Sequence, residues 1–182
     1  NIGAGVEWNG GTMLSTGGGQ KINMIKQYIQ DLPDHDVLFF CDGYDTFVTD
    51  NVNEIVYRYL SMNHKILFSS ERSCWPDEGL ASEIIKTNKG ITPYEDTPYK
   101  YLNSGLFIAQ VGELKSILED VSDDSDDQLF YQKKYLEQKY DIALALECYI
   151  LQCSDSEVIE KDGQLYNPLT RCYGCVYHGN GG

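Results

Sequence analysis

Positive charge is scarce in this chain of 182 residues: 14 Lys and Arg face 28 Asp and Glu, a formal net charge of −14. Nucleic-acid binding needs a basic face to neutralise phosphates, so that class is excluded. A cationic partner, a metal or simply a solvated surface is left. Long apolar runs are also missing. None approaches the ~18 residues of a membrane span, so no membrane-spanning helix is expected. The chain opens at Asn1 with no Met, basic segment or signal-type apolar stretch. That start is expected of a segment cut from something longer. Internal repeats and low-complexity linkers are absent too. The expectation is one domain, residues 1–182, large enough to bury about two thirds of its unfolded surface.

Glycine is plentiful at the start: Gly3, Gly5, Gly10 and Gly11, then Gly17-Gly18-Gly19. This reads as a mobile loop with Trp8 as its anchor. Gln20 to Gln30 carries Ile22, Ile25 and Ile29 on one face, which predicts a helix. Val37 to Cys41 is a short apolar run of the fully covered kind, with Cys41 as a buried thiol. Asn51-Val52-Asn53-Glu54 is a capping box opening a helix to about Met62. Lys65 to Ser69 is a second buried strand, and Leu106 to Ala109 another, with Asn103-Ser104-Gly105 before it. Val111 to Val121 predicts a helix. A further one follows Asp123, Asp124, Asp126 and Asp127. Glu157 to Tyr166 is a hairpin around Asp162-Gly163, and Cys175 to Tyr177 is a last strand. Alternation of helix and strand at this spacing is the α/β pattern with a parallel sheet. A doubly wound domain normally opens with a strand, so a first strand is expected to lie outside these residues or to have its place filled some other way.

Chemistry concentrates where apolar runs stop. Asp42-Gly43-Tyr44-Asp45 places two carboxylates and an aromatic at a strand's carboxyl end, where open α/β folds bind ligands. Two hard oxygen ligands there suit Mg²⁺ or Mn²⁺ carrying a phosphate-bearing substrate; the plainer reading is a solvated aspartate turn. His178, at another strand end, is a third candidate ligand or an ordinary loop residue. Asp123 to Asp127 is either a helix N-terminus stabilised by its dipole or, in part, a face for an acceptor sugar. Trp75, before Pro76, is either a sugar-stacking platform or a partly buried anchor. Cys172, Cys175 and His178 form a Cys-x-x-Cys-x-x-His array open to zinc or to a disulfide. The 14 tyrosines suit carbohydrate stacking and ordinary packing alike, and the six cysteines leave the compartment open.

In order along the chain these segments resemble one family. Glu7-Trp8-Asn9-Gly10-Gly11, Gly17-Gly18-Gly19-Gln20-Lys21, Asp42-Gly43-Tyr44-Asp45, Leu67-Phe68-Ser69, Cys74-Trp75-Pro76, Leu102-Asn103-Ser104-Gly105, Asp126-Asp127-Gln128-Leu129-Phe130-Tyr131 and His178-Gly179-Asn180-Gly181 resemble the glycosyltransferase domain of the multifunctional procollagen lysyl hydroxylases. The resemblance implies a GT-A fold, a doubly wound, Rossmann-like mixed sheet. It implies transfer of glucose from UDP-glucose, with Mn²⁺ as cofactor, to galactosyl-hydroxylysine of a collagen-like polypeptide. Asp42, Asp45 and His178 would be metal ligands and Tyr44 the platform for uracil. Trp8 and Lys21 would belong to a glycine-rich donor loop, with Gly179 and Asn180 also on the donor side. Trp75, Asn103, Asp126 and Asp127 would line the sugar and acceptor side. The implied compartment is the lumen of the secretory pathway, or the host-cell cytoplasm for a viral homologue.

Departures from the family pattern shape the rival readings. Cys172 and Cys175 are foreign to it. The iron-binding His-x-Asp…His pattern of the hydroxylase portion is absent from these residues, so glycosylation rather than hydroxylation is expected. The rivals are galactosyl transfer from UDP-galactose directly to hydroxylysine, and a catalytically inactive collagen-binding domain. A phosphotransferase would need a phosphate loop that is not present.

Overall fold

The computed structural model describes residues 1–12, 17–90, 96–154 and 158–179. Helix α1 (Gly19–Ile29) buries Ile22, Ile25 and Ile29 along one stripe. It is followed by β1 (Val37–Cys41), β2 (Thr46–Val48) and α2 (Val52–Ser61). The Asn51 side chain accepts from the Glu54 N–H, as the capping pattern predicts. Then come β3 (Ile66–Glu71), α3 (Ala81–Thr87), β4 (Tyr101–Gln110), α4 (Val111–Ile117) and α5 (Asp127–Leu136). The chain closes with β5 (Ile142–Leu144), β6 (Leu151–Cys153), the hairpin β7 (Ile159–Lys161) and β8 (Gln164–Tyr166), and β9 (Val176–His178). Residue Glu157 of the predicted hairpin lies outside the described residues. Its turn, Asp162-Gly163, carries two positive φ angles, 54° and 78°, as a tight hairpin requires.

The main sheet has the order β1-β4-β3-β5. It is mixed rather than parallel: β4 runs antiparallel to both β1 and β3, and only β5 is parallel to β3. The alternation of helix and strand therefore misled about neighbours, because β4 enters between β1 and β3. Strand period two divides the core. Ile66, Phe68, Phe107 and Ala109 face α1, α4 and α5; Leu67, Leu106 and Ile108 face α2 and the β2-β9-β6 sheet. Phe107 stacks on Phe40 with ring centroids 4.9 Å apart, and Phe68 meets Tyr131 at 4.8 Å.

Several sequence expectations are corrected. Strand β1 is not fully covered: it is an edge strand, with Leu38 and Phe40 turned inward while Val37, Phe39 and Cys41 are exposed. Cys41 is accordingly no buried thiol. Strand β4 starts at Tyr101, so Asn103-Ser104-Gly105 lies inside it, and α4 stops at Ile117. Gln20, rather than Trp8, anchors the glycine-rich start. Trp8 is 50 % exposed and Gln20 only 7 %. The buried Gln20 amide accepts from the Asn9 N–H and donates to the Glu7 carbonyl.

A candidate divalent-cation and sugar-nucleotide site

A bulge in the β3–β4 ladder prepares the site. Phe68 pairs with Phe107, but the next residue, Ser69, pairs with Asn103. Ser104, Gly105 and Leu106 are thereby released from β3, a local bend common beside active sites. Their buried N–H groups need other partners. The Gln128 side-chain oxygen accepts from Ser104 N–H at 3.2 Å, and Asn103 Oδ1 accepts from Gly105 N–H at 3.0 Å. Asn103 Oδ1 also receives the Ser69 hydroxyl at 3.3 Å. The Asn103 carbonyl is thus committed within the strand, a duty its motif did not disclose.

Onto this bulge converge the ends of β1 and β9. The Asp42 N–H extends the β1–β4 ladder by donating to the Gly105 carbonyl at 2.9 Å. Thr46 of β2 pairs with His178 of β9, so Asp45, one residue earlier, is brought beside the imidazole. Gly179 N–H donates to the Asp45 carbonyl at 2.8 Å and closes that junction. His178 Nε2 stands 3.4 Å from Asp45 Oδ2 and 3.8 Å from Asp42 Oδ2. A Cβ on Gly105 would fall inside contact distance of three His178 ring atoms, so glycine is what admits the ring. Asp42, Asp45 and His178, far apart in sequence, are therefore one cluster.

Lys21 and Asp127 complete it. Lys21, within the helix that the Gln20–Gln30 pattern predicts although the resemblance assigns it to a donor loop, lies on the first turn of α1. Its ammonium is 3.2 Å from Asp42 Oδ1 and 2.8 Å from Asp127 Oδ2. The helix starts are clasped by glycines: Gly19 N–H donates to the Ser125 carbonyl, Gln20 N–H to that of Asp123, and Asp127 N–H to that of Gly17. Gly18, at φ 103°, leaves no room for a Cβ against the Asp127 carboxylate. The triple glycine is a close-packed junction, and nothing in the loop reading foresaw it.

Burial sets the protonation states. It pulls His178 below its usual range against the opposing pull of Asp45 and Asp42, so the imidazole is neutral near pH 7. Burial pushes Asp42 up, and the Lys21 ammonium opposes that shift. For Lys21 burial pulls down, but the Asp127 and Asp42 carboxylates outweigh it and hold the ammonium charged. Formally, Asp42, Asp45 and Asp127 against Lys21 leave two negative charges. Two carboxylates and a neutral imidazole with that charge suit a small divalent cation such as Mn²⁺. The buried His178 Nδ1 has no hydrogen-bond partner among the described residues. Among the described residues no three His, Cys, Asp or Glu side chains are already drawn into a metal shell. The Cys-x-x-Cys-x-x-His array considered for zinc is not drawn together. The Cys175 thiol turns to Asp50 and the Tyr149 carbonyl while His178 faces the aspartates. Cys172 and Cys175 are both free thiols, so they form no disulfide.

Of the remaining expected site residues, Trp8, Lys21, Asp42, Gly43 and Tyr44 line one open cavity of about 980 Å³, bounded on its far side by β1. Tyr44 stands wholly clear of the protein, at 106 % exposure. Trp75 is half-exposed, and its carbonyl accepts from the amides of Gln128 and Gln132, each at 2.8 Å. What fixes its position is α5 as much as the adjoining proline. Asp126 caps α5, accepting from Leu129 N–H at 2.8 Å. Gly105, Gln128 and Gln132 were missed as site-building residues; only Gly105 and Gln128 fell within motifs that drew attention. Asn180 lies outside the described residues.

Comparison with known proteins identifies the family and the fold. The profile of the family described as "PLOD GT domain" matches residues 1–182. "Uncharacterized protein R699" of Acanthamoeba polyphaga mimivirus is 36% identical over 188 residues, covering 99% of this chain and 39% of that protein. The procollagen-lysine,2-oxoglutarate 5-dioxygenase of Drosophila melanogaster is 34% identical over 80% of this chain and 20% of its own length. The human multifunctional procollagen lysine hydroxylase and glycosyltransferase LH3 is 34% identical over 75% of this chain and 18% of its own length. This chain thus spans well under half of these relatives. Among solved structures, mouse xyloside xylosyltransferase 1 superposes with a TM-score of 0.50 at 16% identity, over 88% of this chain and 64% of that one. That likeness shows the fold, a GT-A-type mixed α/β architecture.

Proposed function

This chain belongs to the PLOD glycosyltransferase-domain family, and from that membership we propose that it transfers glucose from UDP-glucose to galactosyl-hydroxylysine on a collagen-like polypeptide, with Mn²⁺ as cofactor. The observation that carries the reading is the convergence of Asp42, Asp45 and neutral His178 beside Lys21. Those three residues would hold the Mn²⁺. When bound, the ion supplies Lewis-acid stabilisation of the diphosphate as it becomes a leaving group.

The chain's own residues do the rest. Tyr44, free on its turn, offers a face to the uracil ring, and Trp8 closes the same cavity from the N-terminal side. Trp75 presents its indole to the sugar side, held through its carbonyl by α5. Glucose passes from an α-linked donor to an α-linked product, so configuration is retained. The sugar's anomeric carbon–oxygen bond breaks with its electrons going to the β-phosphate oxygen. The acceptor hydroxyl forms the new bond, and its proton leaves with that phosphate. No carboxylate need act as base. Asp127 is tied to Lys21 at 2.8 Å and Asp126 to the start of α5, so neither is a free proton acceptor. Their negative charge instead suits the cationic, oxocarbenium-like centre of the transition state.

The test is turnover with UDP-glucose and UDP-galactose, each on bare and galactosylated hydroxylysine peptides, with Mn²⁺ or with EDTA. Glucose transfer confined to the galactosylated peptide and lost in EDTA supports the reading. Transfer only of galactose to the bare peptide would replace it with the inverting alternative.

A further inference from the structure

Lys21 occupies a place usually left to a metal. Its ammonium lies 3.2 and 3.4 Å from the two Asp42 oxygens, and Asp42 Oδ2 looks on its other side towards His178 Nε2 at 3.8 Å. The same ammonium holds Asp127 at 2.8 Å. The backbone beneath it cannot withdraw, because Gly19 and Gln20 are hydrogen-bonded to Ser125 and Asp123 across the junction of α1 and α5. The Lys21 side chain, on a flexible four-carbon stem, keeps its rotamer freedom.

We propose that Lys21 is an internal counter-ion that stands in for a divalent cation at Asp42, so that the cation and the anionic diphosphate of the donor bind as a coupled pair. The inference rests on the reading that Asp42, Asp45 and His178 hold that cation. A divalent cation arriving alone meets an ammonium a few ångströms away. Even at the effective dielectric of a partly wet site, that repulsion is worth at least about tenfold in affinity. A diphosphate offers the ammonium a new partner and lifts the penalty, so each ligand strengthens the other reciprocally. Lys21 is thus a positioning residue on the side of charge, apart from any contact of its own with the sugar.

Mn²⁺ affinity, read from the EPR signal of free Mn²⁺, separates the possibilities without any turnover. It is measured on wild type, Lys21→Met and Lys21→Arg, each with and without UDP, with circular dichroism as the check of folding. Lys21→Gln replaces Lys21→Met if the latter does not fold. Expected is Mn²⁺ binding at least about tenfold tighter in Lys21→Met than in wild type without UDP. UDP should then strengthen Mn²⁺ binding strongly in wild type and Lys21→Arg but several-fold less in Lys21→Met. Equal Mn²⁺ affinities with equal gains from UDP overturn the inference and leave the metal reading standing. Failure of Mn²⁺ to bind any of these proteins, with or without UDP, overturns both.

Discussion

Gly105 and His178 touch face to face: the imidazole rests on the bare Cα of β4, where any side chain would fall inside contact distance of the ring. Strand β4 and strand β9 belong to different sheets, and this contact is where the two sheets meet at the site. The position of His178 Nε2 relative to Asp42 and Asp45 thus depends on one missing methyl group.

Gly105→Ala is therefore expected to expel the ring. Overpacking of a buried site costs about 1–3 kcal/mol, read as a fall in Tm of several degrees. Mn²⁺ affinity should drop by at least about tenfold in the same protein. Unchanged Mn²⁺ binding in a folded Gly105→Ala variant would separate His178 from the cation.

Trp75 depends on α5. Gln132 is fully buried and, like Gln128, donates to the Trp75 carbonyl. Gln132→Leu should cost about 0.5–1.5 kcal/mol, the net worth of one hydrogen bond, since that carbonyl keeps its Gln128 donor. Freed of one tether, the indole should show lower fluorescence anisotropy, and KM for the sugar acceptor should rise more than kcat falls. An effect on Tm alone, with KM unmoved, would make Trp75 an anchor and not a platform.

The thiols of Cys41 and Cys175 give a pH-dependent check on the fold. Cys41 is exposed on the edge strand, and partial burial together with the Asp42 charge pushes its thiol above the ordinary range. A raised thiol is protonated at neutral pH, and the thiolate is the nucleophile. Alkylation of Cys41 by iodoacetamide should thus be slow at pH 7 and climb about tenfold per pH unit towards pH 9. Cys175, buried and pushed up to about 11, should stay unlabelled in the native protein. Labelling of Cys175 before Cys41, followed by peptide mass spectrometry, would contradict the strand assignment.

The sequence was most legible where one local pattern decides one element. Ile22, Ile25 and Ile29 gave α1, the Asn51 cap gave α2, and Asp162-Gly163 gave the hairpin, because period and turn chemistry act within a few residues. Asp42, Asp45 and His178 were legible as residues of the right chemistry at two strand ends, but their meeting in space was not. Illegible were relations made by pairing at long range. Nothing near Val37 shows that β4 will flank β1 on one side only and leave Cys41 outside. Nothing near Asn103 shows that β4 bulges there and turns the asparagine inward. The triple glycine read as looseness, since a glycine needed for close approach looks the same in sequence as one needed for freedom. Whether Gly18 is tight or loose is decided by Asp127, more than a hundred residues away.

The central claim is that Asp42, Asp45 and His178 hold the cation that a glucose transfer needs. Its most direct test is glucose transfer from UDP-glucose to a galactosyl-hydroxylysine peptide, comparing wild type with a folded Asp45→Ala variant over a Mn²⁺ titration. The expected result is Mn²⁺-dependent glucosylation by wild type and a loss of at least about a hundredfold in Asp45→Ala, which lacks one ligand. Equal turnover by the two proteins, or turnover by wild type undiminished in EDTA, would contradict it.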